Sequence, residues 1–361
     1  MPKRTQQQDL ANDLLLPCLL FAVLGGMTWA IRGCSGYGAW EGCIFAGVTW
    51  GTAWWFIARN HGESQSRRYA SGWIILALTV GIGYSGNRGW MQWQHFFTNR
   101  IYTNFSKGEF ETISSGYGFL WLFIAGVPWA GLGACLLAWC GDRQNLRVRD
   151  WVMRIGCGVG TGLLARYFFE LAPGLFLPLH STLAAKYADI QANPSLIRLV
   201  NDSREAITHS GLYLGFLGFE LFRRDCRNAK LILTVGLLNG MGWAICQNWR
   251  WAVDVWPNGN FNWWRCWESS GGISIGLAFG VAFYLVNQRR DLKSLPELKP
   301  SHQTLFWEKY AAYAGLIVGL GVSIRCGIKG RINNTIGNED YWAIDVDWFG
   351  GERRVSHPGI S

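Results

Sequence analysis

Five times along the chain an apolar stretch closes on the same seven-residue frame, a glycine followed six places later by an arginine or its replacement. The copies are Gly26-Met-Thr-Trp-Ala-Ile-Arg32, Gly81-Ile-Gly-Tyr-Ser-Gly-Asn87 with Arg88 one place late, Gly160-Thr-Gly-Leu-Leu-Ala-Arg166, Gly240-Met-Gly-Trp-Ala-Ile-Cys246 and Gly319-Leu-Gly-Val-Ser-Ile-Arg325. Recurrence of this kind describes an array of similar units rather than one irregular core.

The solvent of those units follows from how charge is distributed. Only 16% of residues are charged, and they are gathered between apolar runs of the length that crosses a bilayer as a helix. Nine spans are expected, near residues 12–31, 39–58, 70–86, 117–139, 151–171, 206–222, 231–247, 269–287 and 309–325. The fold class is thus an all-α polytopic membrane protein. Short basic segments alternate with longer polar ones: Arg59, Arg67 and Arg68; Arg143, Arg147 and Arg149; Arg223, Arg224, Arg227 and Lys230; Arg289, Arg290, Lys293 and Lys299. With Lys3 and Arg4 they are assigned to the cytoplasm, which puts the amino terminus inside and the other loops on the exoplasmic face. The net charge of +9 is then topological, and no nucleic-acid partner is expected.

Each unit is a helical hairpin: 12–58, 70–139, 151–222, 231–287 and a half unit, 309–325. Together they make one integral-membrane domain over 1–325, four and a half parallel hairpins around an outward-facing cavity, with 326–361 as an exoplasmic tail containing a candidate strand at 341–348. The returning helices are rich in glycine, which lets helix backbones approach in lipid.

The expected exoplasmic loops are rich in tryptophan. The densest segment, 248–268, mixes Trp249, Trp251, Trp263, Trp264 and Trp267 with Arg250, Asp254, Arg265 and Glu268. Flat aromatic faces beside guanidinium, amide and carboxylate groups suit a polyhydroxylated ligand. Two acids recur beside tryptophan at the start of a returning helix, Trp40-Glu41 and Trp267-Glu268. If both face one cavity they form the acid and base, or acid and nucleophile, of glycoside chemistry; Asp254 is the reserve carboxylate. Arg32, Arg88, Arg166 and Arg325 occupy matching places and are expected to cluster, a set suited to phosphate or carboxylate. Glu170, one turn after Arg166, is expected to pair with it.

Membrane centres are expected to hold almost no ionisable residues, which weakens an ion-coupled transport reading. The six histidines show no ligand spacing and no Cys-x-x-Cys occurs, so neither metal nor cofactor is expected. Cys34 with Cys43, or Cys246 with Cys266, are either outer-face disulfides or free thiols. Three sequons, at Asn104, Asn201 and Asn333, fall outside. The leading expectation is an enzyme of glycoside hydrolysis or transfer type, binding a saccharide or an anionic, saccharide-bearing lipid at the exoplasmic face. A sugar or organic-anion transporter or channel is the alternative, and a structural or assembly subunit of a membrane complex the third reading.

Overall fold

A computed structural model describes residues 10–34, 39–59, 69–86, 96, 99–141, 146–256, 263–287 and 302–335. Ten helices of nine residues or more carry the described chain: α1 (Leu16–Cys34), α2 (Ala39–Ala58), α3 (Trp73–Ser85), α4 (Gly116–Trp139), α5 (Val148–Leu171), α6 (His180–Ala188), α7 (Pro194–Phe222), α8 (Cys226–Cys246), α9 (Trp263–Val286) and α10 (His302–Thr335). Four stretches are long and apolar enough to cross a membrane: Ala11–Arg32, Gly116–Trp139, Cys226–Trp249 and Arg265–Val286. They belong to α1, α4, α8 and α9, and the architecture is compatible with an all-α membrane protein. By contrast α3, at 13 residues, rises only about 20 Å, short of the roughly 30 Å hydrocarbon core.

Six helices close into a ring in the order α1, α2, α3, α4, α8, α9, with α9 packing back on α1. The α5–α7 pair lies outside and docks through α7 on α4, while α10 lies outside against α2 and α3. Glycine sets the approach at two seams. A Cβ added at Gly126 of α4 would lie 2.9 Å from the Gly240 Cα of α8, and one at Gly272 of α9 would lie 2.6 Å from the Trp29 Cβ of α1. Without side chains at these points the backbones come close enough for dispersion to hold them.

Tryptophan fills the ring. Trp29 stacks on Trp50 at 6.0 Å and meets Trp129 edge-on at 4.6 Å. Trp129 lies parallel to Trp243 at 6.0 Å, and Trp243 touches Trp267 at 4.8 Å. Five ring helices thus meet through five indoles, all nearly or fully buried. Phe21, Trp54, Phe279 and Phe283 continue the aromatic column away from them. In α2, α4 and α9 the ring aromatic stands in one local frame: Gly47-Val-Thr-Trp50-Gly51, Gly126-Val-Pro-Trp129-Ala130 and Gly276-Leu-Ala-Phe279-Gly280.

Pro128 inside α4 removes the amide that would have bonded the Ile124 carbonyl. Ser210 Oγ of α7 donates to that oxygen at 3.4 Å, so the proline's lost bond becomes a contact between helices. Asn239 of α8 likewise donates Nδ2 to the Gly126 carbonyl.

Several element boundaries differ from expectation. The 87–116 loop contains an antiparallel hairpin, β1 (Arg100–Asn104) with β2 (Glu109–Thr112), bulged between Tyr102 and Asn104 and closed by Gly108 at φ 68°. It leans on α7, where Ser195 Oγ accepts the Phe105 amide at 3.0 Å. Helix α7 starts at Pro194, at least ten residues before the expected span, because its polar amino-terminal half is still helix-competent and proline favours the first turn. The Asn201 sequon therefore lies within a helix with Ser203 buried. Helix α10 runs to Thr335 instead of ending at Arg325, and the candidate strand at 341–348 and the Asn333 side chain lie outside the described residues.

Candidate functional site

Above the indoles, at the Arg32 end of the ring, charged groups converge from several helices. Arg32 stands three residues after Trp29 in the last turn of α1, and its guanidinium lies 5.1 Å from the Trp29 ring centroid. Its Nη1 is 3.7 Å from Glu268 Oε1, with side-chain exposures of 14% and 3%. Such burial makes this an ion pair that water screens little. Arg265, one turn before Glu268 on α9, adds a second positive charge acting on it.

Cys43, in the first turns of α2, is fully buried between these groups. It donates Sγ–H to the Gly86 carbonyl at 2.8 Å, accepts from the Arg32 guanidinium, and lies within electrostatic reach of both Glu268 and Glu41. Glu41 is buried at the start of α2 and pairs with Arg325 of α10, whose guanidinium lies over the Trp40 ring at 5.1 Å. Glu41, Glu268, Arg32, Arg265, Arg325, Trp40 and Trp267 therefore gather at one end of the ring.

Other expected members stand apart. Arg166 is exposed on α5, a helix that packs on α7 outside the ring, so the single arginine cluster is corrected: it contains Arg32 and Arg325 without Arg166. Glu170 pairs with Arg204 of α7 at 2.9 Å instead of with Arg166 one turn before it, since α7 presents a guanidinium at shorter reach. Asp254 is exposed on the single helical turn Ala252–Val255, away from both buried acids' ion pairs. Trp249 donates Nε1 to Ser270 Oγ at 3.1 Å and Trp251 rests on Phe119 at 6.2 Å, so both brace the 247–256 segment. The backbone places Arg250 in the Gln247–Trp251 helical turn and Trp263 and Trp264 at the start of α9, while Arg88 lies outside the described residues. Cys43, Cys246 and Cys266 are free thiols. Among the described residues, no three histidine, cysteine or carboxylate side chains converge in a metal-binding arrangement.

Two groups of residues escaped sequence reasoning. Gln247, one turn after Trp243, is fully buried at the same end of the ring; the i, i+4 relation to a core tryptophan was the available signal. At the opposite end of the helices, Arg154 of α5 and Glu220 of α7 form a fully buried ion pair at 2.7 Å. Asn228 at the start of α8 donates to Glu220 at 3.0 Å and accepts from the Tyr69 hydroxyl at 2.5 Å. Trp139, Trp151 and Phe219 surround the Arg154 guanidinium at 4.8–5.6 Å. Arg154, in the second turn of α5, and Glu220, in the last turn of α7, lie toward helix ends and not at the expected membrane centres, and there four helices are tied through one charged centre that no short-range spacing reveals.

Comparison with family models, curated proteins and solved structures gives no match, so the site is read from its own geometry. Fold and site together define a predominantly helical protein with membrane-length helices and a buried charged layer resting on a tryptophan floor.

Proposed function

We propose that the chain is a nine-span membrane protein built of four and a half parallel hairpin units. Its amino terminus is cytoplasmic, and it binds a saccharide, or an anionic or saccharide-bearing lipid headgroup, at the exoplasmic end of the ring. The basic segments support the orientation: Arg147 and Arg149 at the start of α5, and Arg223 and Arg224 after α7, lie at helix ends opposite to Arg32. One observation carries the binding reading. The Arg32–Glu268 ion pair is buried directly above an indole floor, joined by Glu41, Cys43 and Arg265, an outlay of desolvation that packing alone does not require.

A catalytic role of glycoside type is the second reading, favoured by both carboxylates lying within reach of the one thiol of Cys43. In that reading one of Glu41 and Glu268 is the general acid and the other the base or nucleophile. Passage of a solute through the ring would require the five packed indoles to part, so transport is placed behind binding. A purely structural subunit would leave the charged layer without a role.

Binding is tested by thermal unfolding in phosphatidylcholine nanodiscs, alone or doped with glucosyl diacylglycerol or phosphatidic acid. At least one dopant is expected to raise the wild-type midpoint, as ligand linkage requires. The neutral double variant Arg32→Gln/Glu268→Gln, which leaves no orphaned charge, is expected to lose that rise. A wild-type midpoint indifferent to both lipids refutes the reading. Catalysis is tested by sugar release from the same glycolipid: Glu41→Gln and Glu268→Gln should each abolish it, and full activity in either variant removes that residue from the assignment.

A further inference from the structure

The charged layer contains polar atoms that its ion pairs leave unmatched. Neither Oε1 nor Nε2 of Gln247 has a hydrogen-bond partner among the described residues, and the same holds for Glu268 Oε2 and Arg32 Nε. Gln247 is 0% exposed and Glu268 2% exposed. The three residues sit at the same end of α8, α9 and α1, which are consecutive neighbours in the ring; Gln247 and Arg32 stand one helical turn after the floor tryptophans Trp243 and Trp29, and Glu268 directly follows Trp267. Buried donors and acceptors without partners are penalised, so a ligand that satisfies the whole set is preferred over one that satisfies part of it.

The set is mixed in kind. Arg32 Nε–H and the Gln247 amide nitrogen donate, whereas Glu268 Oε2 and Gln247 Oε1 accept. A phosphate or carboxylate supplies acceptors alone. It would leave Glu268 Oε2 and Gln247 Oε1 unmet and bring a second anion beside Glu268. A sugar hydroxyl both donates and accepts, and neighbouring hydroxyls on one ring can meet an amide's oxygen and nitrogen together. The indoles beneath suit the apolar face of the same ring.

Building on the proposed binding function, we infer that the site takes a neutral saccharide headgroup, with Gln247, Glu268 and Arg32 as its hydroxyl-binding residues, and not an anionic headgroup. The nanodisc measurement separates this inference from the reading beneath it. Glucosyl diacylglycerol is expected to raise the wild-type unfolding midpoint in a dose-dependent way, with phosphatidic acid giving no rise. The near-isosteric Gln247→Met variant is expected to keep or raise the lipid-free midpoint, because it removes an unpaired amide, while weakening the apparent glycolipid affinity by about tenfold, one hydrogen-bonding group's worth. A rise with phosphatidic acid and none with the glycolipid overturns this inference and leaves headgroup binding standing; a rise with neither sinks both. A Gln247→Met protein with an unaltered glycolipid response also overturns it. The wild-type comparison of the two lipids decides the ligand class whatever the variant's stability.

Discussion

Glu220→Gln should be among the most damaging single substitutions in this protein, although it changes one atom and lies far from the candidate site. The carboxylate balances Arg154, which is fully buried, and also accepts from Asn228. A glutamine oxygen can still accept from Asn228, so the loss isolates the charge. Breaking a buried ion pair by removing one partner costs about 3–5 kcal/mol, because the other charge stays out of water. The aromatic surroundings place the expected loss at the lower end, about 3 kcal/mol. Trp139, Trp151 and Phe219 offer their ring faces to the guanidinium, worth up to about 2 kcal/mol in a dry site, and they remain after the substitution. The double variant Arg154→Met/Glu220→Gln removes both charges, keeps an acceptor for Asn228 and should recover most of the loss, since no charge is then left stranded in the interior. Reversible unfolding in mixed micelles, followed by tryptophan fluorescence, measures both. A Glu220→Gln protein within about 1 kcal/mol of wild type would refute the argument by showing that water reaches Arg154.

Further outcomes follow from particular contacts. Gly126→Ala puts a methyl group against Gly240 and should cost about 1–3 kcal/mol by overpacking; Gly218→Ala, with open space at its Cβ, should be neutral or gain up to about 1 kcal/mol from helix propensity, and the pair is compared in the same unfolding assay. Ser210→Ala uncaps the Ile124 carbonyl and should cost about 0.6 kcal/mol, the average for such bonds in membrane helices; a change above about 2 kcal/mol would mean the hydroxyl has a larger role. Asp254→Cys, at an exposed position, should be labelled in intact cells or sealed vesicles by an impermeant maleimide from the exoplasmic side; labelling only from the cytoplasmic side would invert the proposed topology.

Much of the helical plan was readable because the apolar runs are long and the breaks between them carry charge, glycine or proline. Arg32, Glu41, Glu268 and Arg325 stand out in the sequence by matching positions in short recurring patterns, and the structure brings their side chains to one end of the ring. That same logic misplaced Arg166. Its frame matches the others, but α5 pairs with α7 outside the ring, and register along a helix carries no information about which neighbours a helix acquires. Tryptophan density in the sequence points to the expected exoplasmic loops, yet Trp267 is ring core, together with Trp29, Trp50, Trp129 and Trp243. Their large apolar area favours burial wherever ring helices offer facing glycines. The Arg154–Glu220 pair joins residues far apart in sequence, and one chain alone holds no signal for such a pairing.

The ring's last seam joins α1 to α9, the beginning of the chain to a segment made some 240 residues later. During synthesis the hairpins α1–α2 and α3–α4 can each form as they emerge, but the face of α1 that carries Gly25 must wait uncovered until α9 arrives. Chains released early, before residue 263, would carry an open-sided barrel of helices with an unshielded tryptophan row, the kind of exposed surface that quality-control machinery engages. The Arg32–Glu268 pair therefore forms only as α9 closes the ring, and the charged layer is complete once α10 brings Arg325 to Glu41: a chain that has not finished assembling has no site.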